Sequence, residues 1–155
     1  MSGHGAPHID LSGASALRVV IVAGMWHETI AEGLIAGAIR VLEAAGCDHS
    51  LIRVPGSFEL PVVAQAALQK GADAVVALGV IIRGGTPHFD YVSSAATTGL
   101  TTVALATGKP VGFGVLTLDD EAQGIDRAGF EGSSEDKGAE AAEAALHTAL
   151  VLRGL

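Results

Sequence analysis

The residues most able to do chemistry lie together in Arg83-Gly84-Gly85-Thr86-Pro87-His88-Phe89-Asp90-Tyr91. A glycine pair lets backbone N–H groups approach a ligand as closely as phosphate oxygens require. Thr86 adds a hydroxyl donor. His88 adds an imidazole, the side-chain type suited to moving protons near neutral pH. The segment follows an apolar run over residues 74–82 that reads as a fully buried strand. In parallel-sheet proteins ligands bind outside the carboxyl ends of strands, where this loop must sit. The pattern points to an active site for a small phosphorylated substrate.

The elements that would position this loop follow from hydrophobic spacing and punctuation. Strands are expected at residues 18–24, 50–54, 74–82 and 111–118. Helices are expected at 28–45, 58–70, 89–106, 120–128 and 134–152, with Gly46 and Gly71 as stops and Pro61 in a first turn. Ser133 and Asp136 have the types to cap the last helix reciprocally. Alternating strands and helices imply βαβ units and a parallel sheet covered on both faces. Right-handed crossovers then place all four post-strand loops along one edge. Residues 1–15, rich in Gly, His, Pro and Ser, read as a flexible arm before a single domain at 16–155.

Composition excludes several function classes. The formal net charge of −8, with no basic stripe, argues against nucleic acid. No apolar run reaches the length of a membrane span. Apolar residues are 49% of the chain and aromatics only 4%, an excess that subunit contacts would bury. A single cysteine, Cys47, at a helix end fits a structural thiol and a reducing, cytoplasmic setting, and the N-terminus has no signal-peptide pattern. An acidic protein must bind phosphate through a local donor cluster, which singles out Arg127 and Lys137 around a polar loop; either is also an ordinary solvated charge. Trp26, just past the first strand, is either a core residue or a stacking surface for a planar ring. Glu59 is either a first-turn partner of the helix dipole or a carboxylate for a polyhydroxylated ligand. His4 and His8 stand at i, i+4, but the Gly- and Pro-containing arm does not favour a helix, so no metal is expected there. Neither Gly79–Gly85 nor Gly112-Phe113-Gly114 completes a nucleotide-binding fingerprint.

Four segments in order carry a resemblance: Pro55-Gly56-Ser57-Phe58-Glu59-Leu60-Pro61, then Ile82-Arg83-Gly84-Gly85-Thr86-Pro87-His88-Phe89-Asp90-Tyr91-Val92, Gly114-Val115-Leu116-Thr117, and Asp126-Arg127-Ala128-Gly129 followed by Lys137-Gly138. From residue 17 onward the chain resembles the lumazine synthase family. The expected fold is a three-layer αβα sandwich, a four-stranded parallel sheet of flavodoxin-like type with helices on both faces. The resemblance implies condensation of 5-amino-6-(D-ribitylamino)uracil with 3,4-dihydroxy-2-butanone 4-phosphate, releasing phosphate and water. This is the penultimate step of riboflavin biosynthesis. Carried onto this sequence, His88 would transfer protons, and Trp26 would stack on the pyrimidinedione. Ser57, Phe58, Glu59, Val80, Ile81 and Ile82 would line the ring and ribityl chain, with Phe113 reaching in from a neighbouring subunit and Lys137 assisting near the phosphate. Gly85, Thr86 and Arg127 would hold the butanone phosphate.

The implied steps are imine formation, phosphate loss and ring closure. They need proton transfers only, so neither cofactor nor metal is expected. Two departures from the family pattern stand out: Gly124 where alanine is common, and Asp136 where asparagine is frequent, which would bring a carboxylate near Lys137. The connection over 130–136 is two residues longer than in shell-forming members. A homopentamer or a pair of pentamers is therefore expected rather than a sixty-subunit shell, with riboflavin synthase acting downstream. The alternative reading is a paralogue that binds flavin or lumazine with little synthase activity.

Overall fold

The structure is a computed structural model that describes residues 4–155. The four expected strands form one parallel sheet in the order β2-β1-β3-β4. They are β1 (Arg18–Gly24), β2 (Asp48–Val54), β3 (Ala74–Ile82) and β4 (Val111–Leu118). The central strands β1 and β3 are the most continuously apolar, and all their residues are buried except Arg18 and the half-buried Ile82. This is the pattern expected when helices cover both faces. One face carries α1 (Glu28–Ala44) and α5 (Lys137–Arg153), over a core built on Leu34, Leu42, Val76, Leu78 and Leu146. The other carries α2 (Leu60–Gln69) and α3 (His88–Thr107), over Val22, Leu60, Val75, Leu100 and Val115. A short α4 (Glu121–Ile125) follows β4. The protein is a three-layer sandwich of flavodoxin-like type.

The boundaries that differ from expectation have long-range causes. Strand β2 starts two residues early because Asp48 and His49 pair in register with Arg18 and Val19. Helix α3 accommodates its threonines by turning their hydroxyls back on the helix: Thr97, Thr101, Thr102 and Thr107 donate to carbonyls four residues earlier, at 2.7–2.9 Å. Helix α4 stops at Ile125 and α5 begins only at Lys137, because the segment between them folds on itself. Ser134 bonds both carboxylate oxygens of Asp126, and Ala128 pairs with Asp136 in an isolated bridge.

Ser133 is therefore not part of the α5 cap. Its hydroxyl accepts from the Phe130 N–H and donates to the Ile125 carbonyl. Asp136 alone caps α5, accepting from the Ala139 N–H at 3.0 Å.

The proposed arm reaches the body before its expected end. A 3₁₀ turn at Ala14–Ala16 buries Ala14, whose carbonyl accepts the Cys47 thiol at 3.2 Å. Burial pushes that thiol up from its ordinary value, which suits a structural cysteine. Met1, Ser2 and Gly3 lie outside the described residues.

Candidate active site

A cavity of about 650 Å³, well within the range of small-molecule sites, opens at the carboxyl ends of β1 and β3 between the first turns of α2 and α3. Each wall comes from a different sheet-edge loop. Trp26 and His27 follow β1, and Gly56, Ser57, Phe58 and Glu59 lead into α2. Val80, Ile81 and Ile82 end β3, and Gly84, Thr86, His88, Phe89, Tyr91 and Val92 open α3. The chain thus brings together His88, Trp26, Ser57, Phe58, Glu59, Val80, Ile81, Ile82 and Thr86 from the sequence reading.

The supports of these walls are specific. His27 has φ 56°, and no other described non-glycine residue has a positive φ. That left-handed turn ends β1 beside Trp26, and conformations of this kind concentrate at ligand sites. Arg53 holds the same junction, donating to the Gly24 carbonyl at 3.0 Å and to Glu32 at 3.1 Å. Glu59 stands just before α2 rather than in its first turn: its Oε2 accepts from the Gly56 N–H at 2.9 Å, closing the turn into the helix, and the residue lies on the cavity wall. Ser57 is buried, packed against Gly79 of β3.

The glycine-rich loop is anchored at its base and open at its tip. The Arg83 N–H donates to the Leu118 carbonyl, and its guanidinium bonds Asp119 at 3.0 Å while lying 4.2 Å over the Phe89 ring. Beyond it, Gly84 and Gly85 lack positive φ, and an added Cβ at either would meet nothing within 4 Å. Nothing inside the chain therefore requires glycine at these two positions. What remains is access to their backbone from outside. Thr86 Oγ1 accepts weakly from the His88 N–H at 3.4 Å, fixing the turn that presents His88 at the first position of α3.

Of the predicted site residues, Gly85, Phe113, Arg127 and Lys137 do not line this cavity within one chain; beside Gly85, its neighbours Gly84 and Thr86 do. Phe113 is half-exposed on edge strand β4, in register with Ala77 and so well short of the carboxyl end of β3. Arg127 and Lys137 lie on the α1/α5 side, where the intervening loop packs on Gly33 and Gly37 of α1. The two cations are held together there. The Lys137 N–H donates to the Arg127 carbonyl at 2.9 Å, and the Arg127 Nη1 donates to the Gln123 carbonyl at 2.9 Å.

A carboxylate does stand near Lys137, but it is not that of Asp136, which turns to Arg40 of α1 at 2.5 Å. Glu135 lies 3.5 Å and Glu140 2.8 Å from the Lys137 ammonium. Burial disfavours the charge of Lys137 most strongly of any single influence, yet these two carboxylates together outweigh it and raise its pKa above 10.5. Among the described residues no three His, Cys, Asp or Glu side chains are grouped to hold a metal ion, His4 and His8 included.

A profile of the 6,7-dimethyl-8-ribityllumazine synthase family matches residues 16–153. Over its full length the chain is 75% identical to the 6,7-dimethyl-8-ribityllumazine synthase of Leifsonia xyli subsp. xyli, covering 99% of that protein. It is 71% identical to the enzyme of that name from Clavibacter michiganensis subsp. michiganensis and 57% identical to that from Streptomyces coelicolor, covering 98% and 97% of them. The chain belongs to the 6,7-dimethyl-8-ribityllumazine synthase family. It is accordingly an enzyme, a transferase. Two of its resemblance segments, 55–61 and 82–92, supply most of the cavity wall, and a third supplies the Arg127–Lys137 loop on the other face. Sequence reading had not singled out Phe89, Tyr91 or Val92 as wall residues, although their position directly after His88 at a helix start was a usable signal.

Proposed function

We propose that this chain condenses 5-amino-6-(D-ribitylamino)uracil with 3,4-dihydroxy-2-butanone 4-phosphate, the reaction of its family and the penultimate step of riboflavin biosynthesis. The observation that carries the residue assignment is the cavity itself, which gathers aromatic and aliphatic side chains, the Gly84 backbone, Thr86 and His88 around one space. The pyrimidinedione stacks on Trp26, and the ribityl chain runs along Ser57, Phe58 and Glu59 against Val80, Ile81 and Ile82. The butanone phosphate meets the backbone at Gly85 and the Thr86 hydroxyl. His88 shuttles the protons of imine formation, phosphate loss and ring closure. General acid–base assistance of this kind contributes ~10²–10⁴-fold, and the rest comes from holding two reactive substrates in contact.

Phe113, Arg127 and Lys137 complete the site from an adjacent subunit in a homopentamer, single or paired. Two features support this reading: their distance from the cavity within one chain, and the large exposed aromatics Trp26, Phe58 and Tyr91 around its mouth. No described helix is long and apolar enough to cross a membrane. The enzyme works in the cytoplasm and hands its product to riboflavin synthase.

The test mixes purified protein with both substrates and follows lumazine formation by absorbance against a no-enzyme control. Acceleration that falls sharply in His88→Ala supports the reading and the role of His88. Absence of acceleration, together with tight flavin binding, would support a binding paralogue instead.

A further inference from the structure

Glu135 stands between the two cations assigned to the phosphate. Its Oε2 lies 3.7 Å from Arg127 Nε and 3.5 Å from Lys137 Nζ, and only 12% of its side chain is exposed. Glu140, at 40% exposure, approaches Lys137 and not Arg127. With Glu135 and Glu140 beside the cations and Asp126 also interacting with Arg127, carboxylates at least balance the two positive charges, an unexpected arrangement for the end of a site that must attract a phosphate. The carboxylate of Glu135 is not what builds the loop. Its own N–H donates to the Asp126 carbonyl at 3.1 Å, and its carbonyl accepts from the Gly129 N–H at 3.0 Å, so the main chain fixes the residue whatever its side chain.

We propose that Glu135 is a positioning residue for the phosphate end of the site: it holds Arg127 and Lys137 side by side, and its negative charge weakens their grip on phosphate so that the released ion departs. This rests on the reading in which Arg127 and Lys137 meet the phosphate. A phosphate bound by both cations comes within several ångströms of the carboxylate lying between them. In a partly buried setting that repulsion is screened far less than in open solvent. Enzyme turnover requires product to leave, and inorganic phosphate shares every charge contact of the substrate's phosphate. A built-in counter-charge lowers the affinity for both.

The test is Glu135→Gln in the full-length, assembled enzyme. Glutamine keeps the shape and an oxygen acceptor for both cations while removing the charge. The inhibition constant for inorganic phosphate and the KM for the butanone phosphate should both fall by about tenfold, the scale of one nearby charge at intermediate screening. The KM for the ribitylaminouracil should stay unchanged, a split that a merely structural lesion would not produce. Glu135→Asp, which retains the charge, should lie nearer the wild type on both phosphate readouts. Unchanged or weaker phosphate inhibition in Glu135→Gln overturns the proposal. Arg127→Ala, measured alongside, separates the two levels of inference. If it leaves phosphate inhibition untouched, the phosphate role of Arg127 is wrong. If it weakens inhibition while Glu135→Gln changes nothing, only the role of Glu135 falls.

Discussion

His88 and Arg127 differ in what their loss should do under the proposed roles, proton transfer for the one and phosphate binding for the other. Replacing His88 with alanine removes a general acid–base worth ~10²–10⁴-fold but leaves the cavity that aligns two reactive substrates. Turnover should therefore drop by about 10²-fold or more and stay above the no-enzyme rate, while both KM values change little; steady-state rates at saturating substrate check this. Arg127→Ala removes a charge-assisted hydrogen bond of ~1.5–3 kcal/mol. It should raise the KM of the butanone phosphate by roughly ten- to a hundredfold, with the uracil KM unaffected. An unchanged KM for the phosphorylated substrate would take Arg127 out of the site. At this scale sequence was most informative where a residue type has few uses. An imidazole after a glycine pair at a strand end was recognisable without coordinates. Glu135 was not, because nothing in the string Ser134-Glu135-Asp136-Lys137 says which carboxylate turns inward between two cations and which turns outward to a neighbouring helix.

The strands were legible because buried parallel strands are written as uninterrupted apolar runs, and β1, β3 and β4 fall on the expected residues. The start of α5 was not, because it is set by contacts across the fold. Asp136 both caps α5 and pairs with Arg40 on α1. Asp136→Ala should lose a cap of about 1 kcal/mol together with an ion pair of ~0–1 kcal/mol. Asp136→Asn keeps an acceptor for the Ala139 N–H and should lose only part of that. Thermal unfolding at one fixed protein concentration ranks the three, since the proposed assembly would make the midpoint depend on concentration. Gly138 is the tighter constraint. A Cβ there would collide with the Leu34 main chain of α1, where no side chain can rotate away. Gly138→Ala should therefore cost ~1–3 kcal/mol as overpacking. It should also lower activity through displacement of Lys137 next to it. A midpoint equal to the wild type would show that α1 and α5 can separate freely.

For the whole molecule, composition disclosed an apolar excess but not where it lies, since exposure depends on which edge each strand occupies. The order β2-β1-β3-β4 leaves β2 and β4 as edges, with Leu51 and Ile52 on one and Phe113 on the other partly open to solvent. The proposed site residues are split between two faces of one chain, which gives the proposed shared site a consequence that can be tested without a structure of any assembly. If His88 acts in a cavity completed by Arg127 of the adjacent subunit, two different damaged chains can repair one another. Co-assembled His88→Ala and Arg127→Ala subunits form some junctions with an intact His88 on one side and an intact Arg127 on the other. In a ring of head-to-tail contacts mixed at random from equal amounts, about a quarter of junctions have this composition. Unfolding and reassembling the mixture should then yield about a quarter of wild-type activity at low butanone phosphate, far above either variant alone. Were both residues to serve a cavity within one chain, no mixed junction would restore a complete set. Activity would stay at the mean of the two variants, and the reading of a shared site would fall with it.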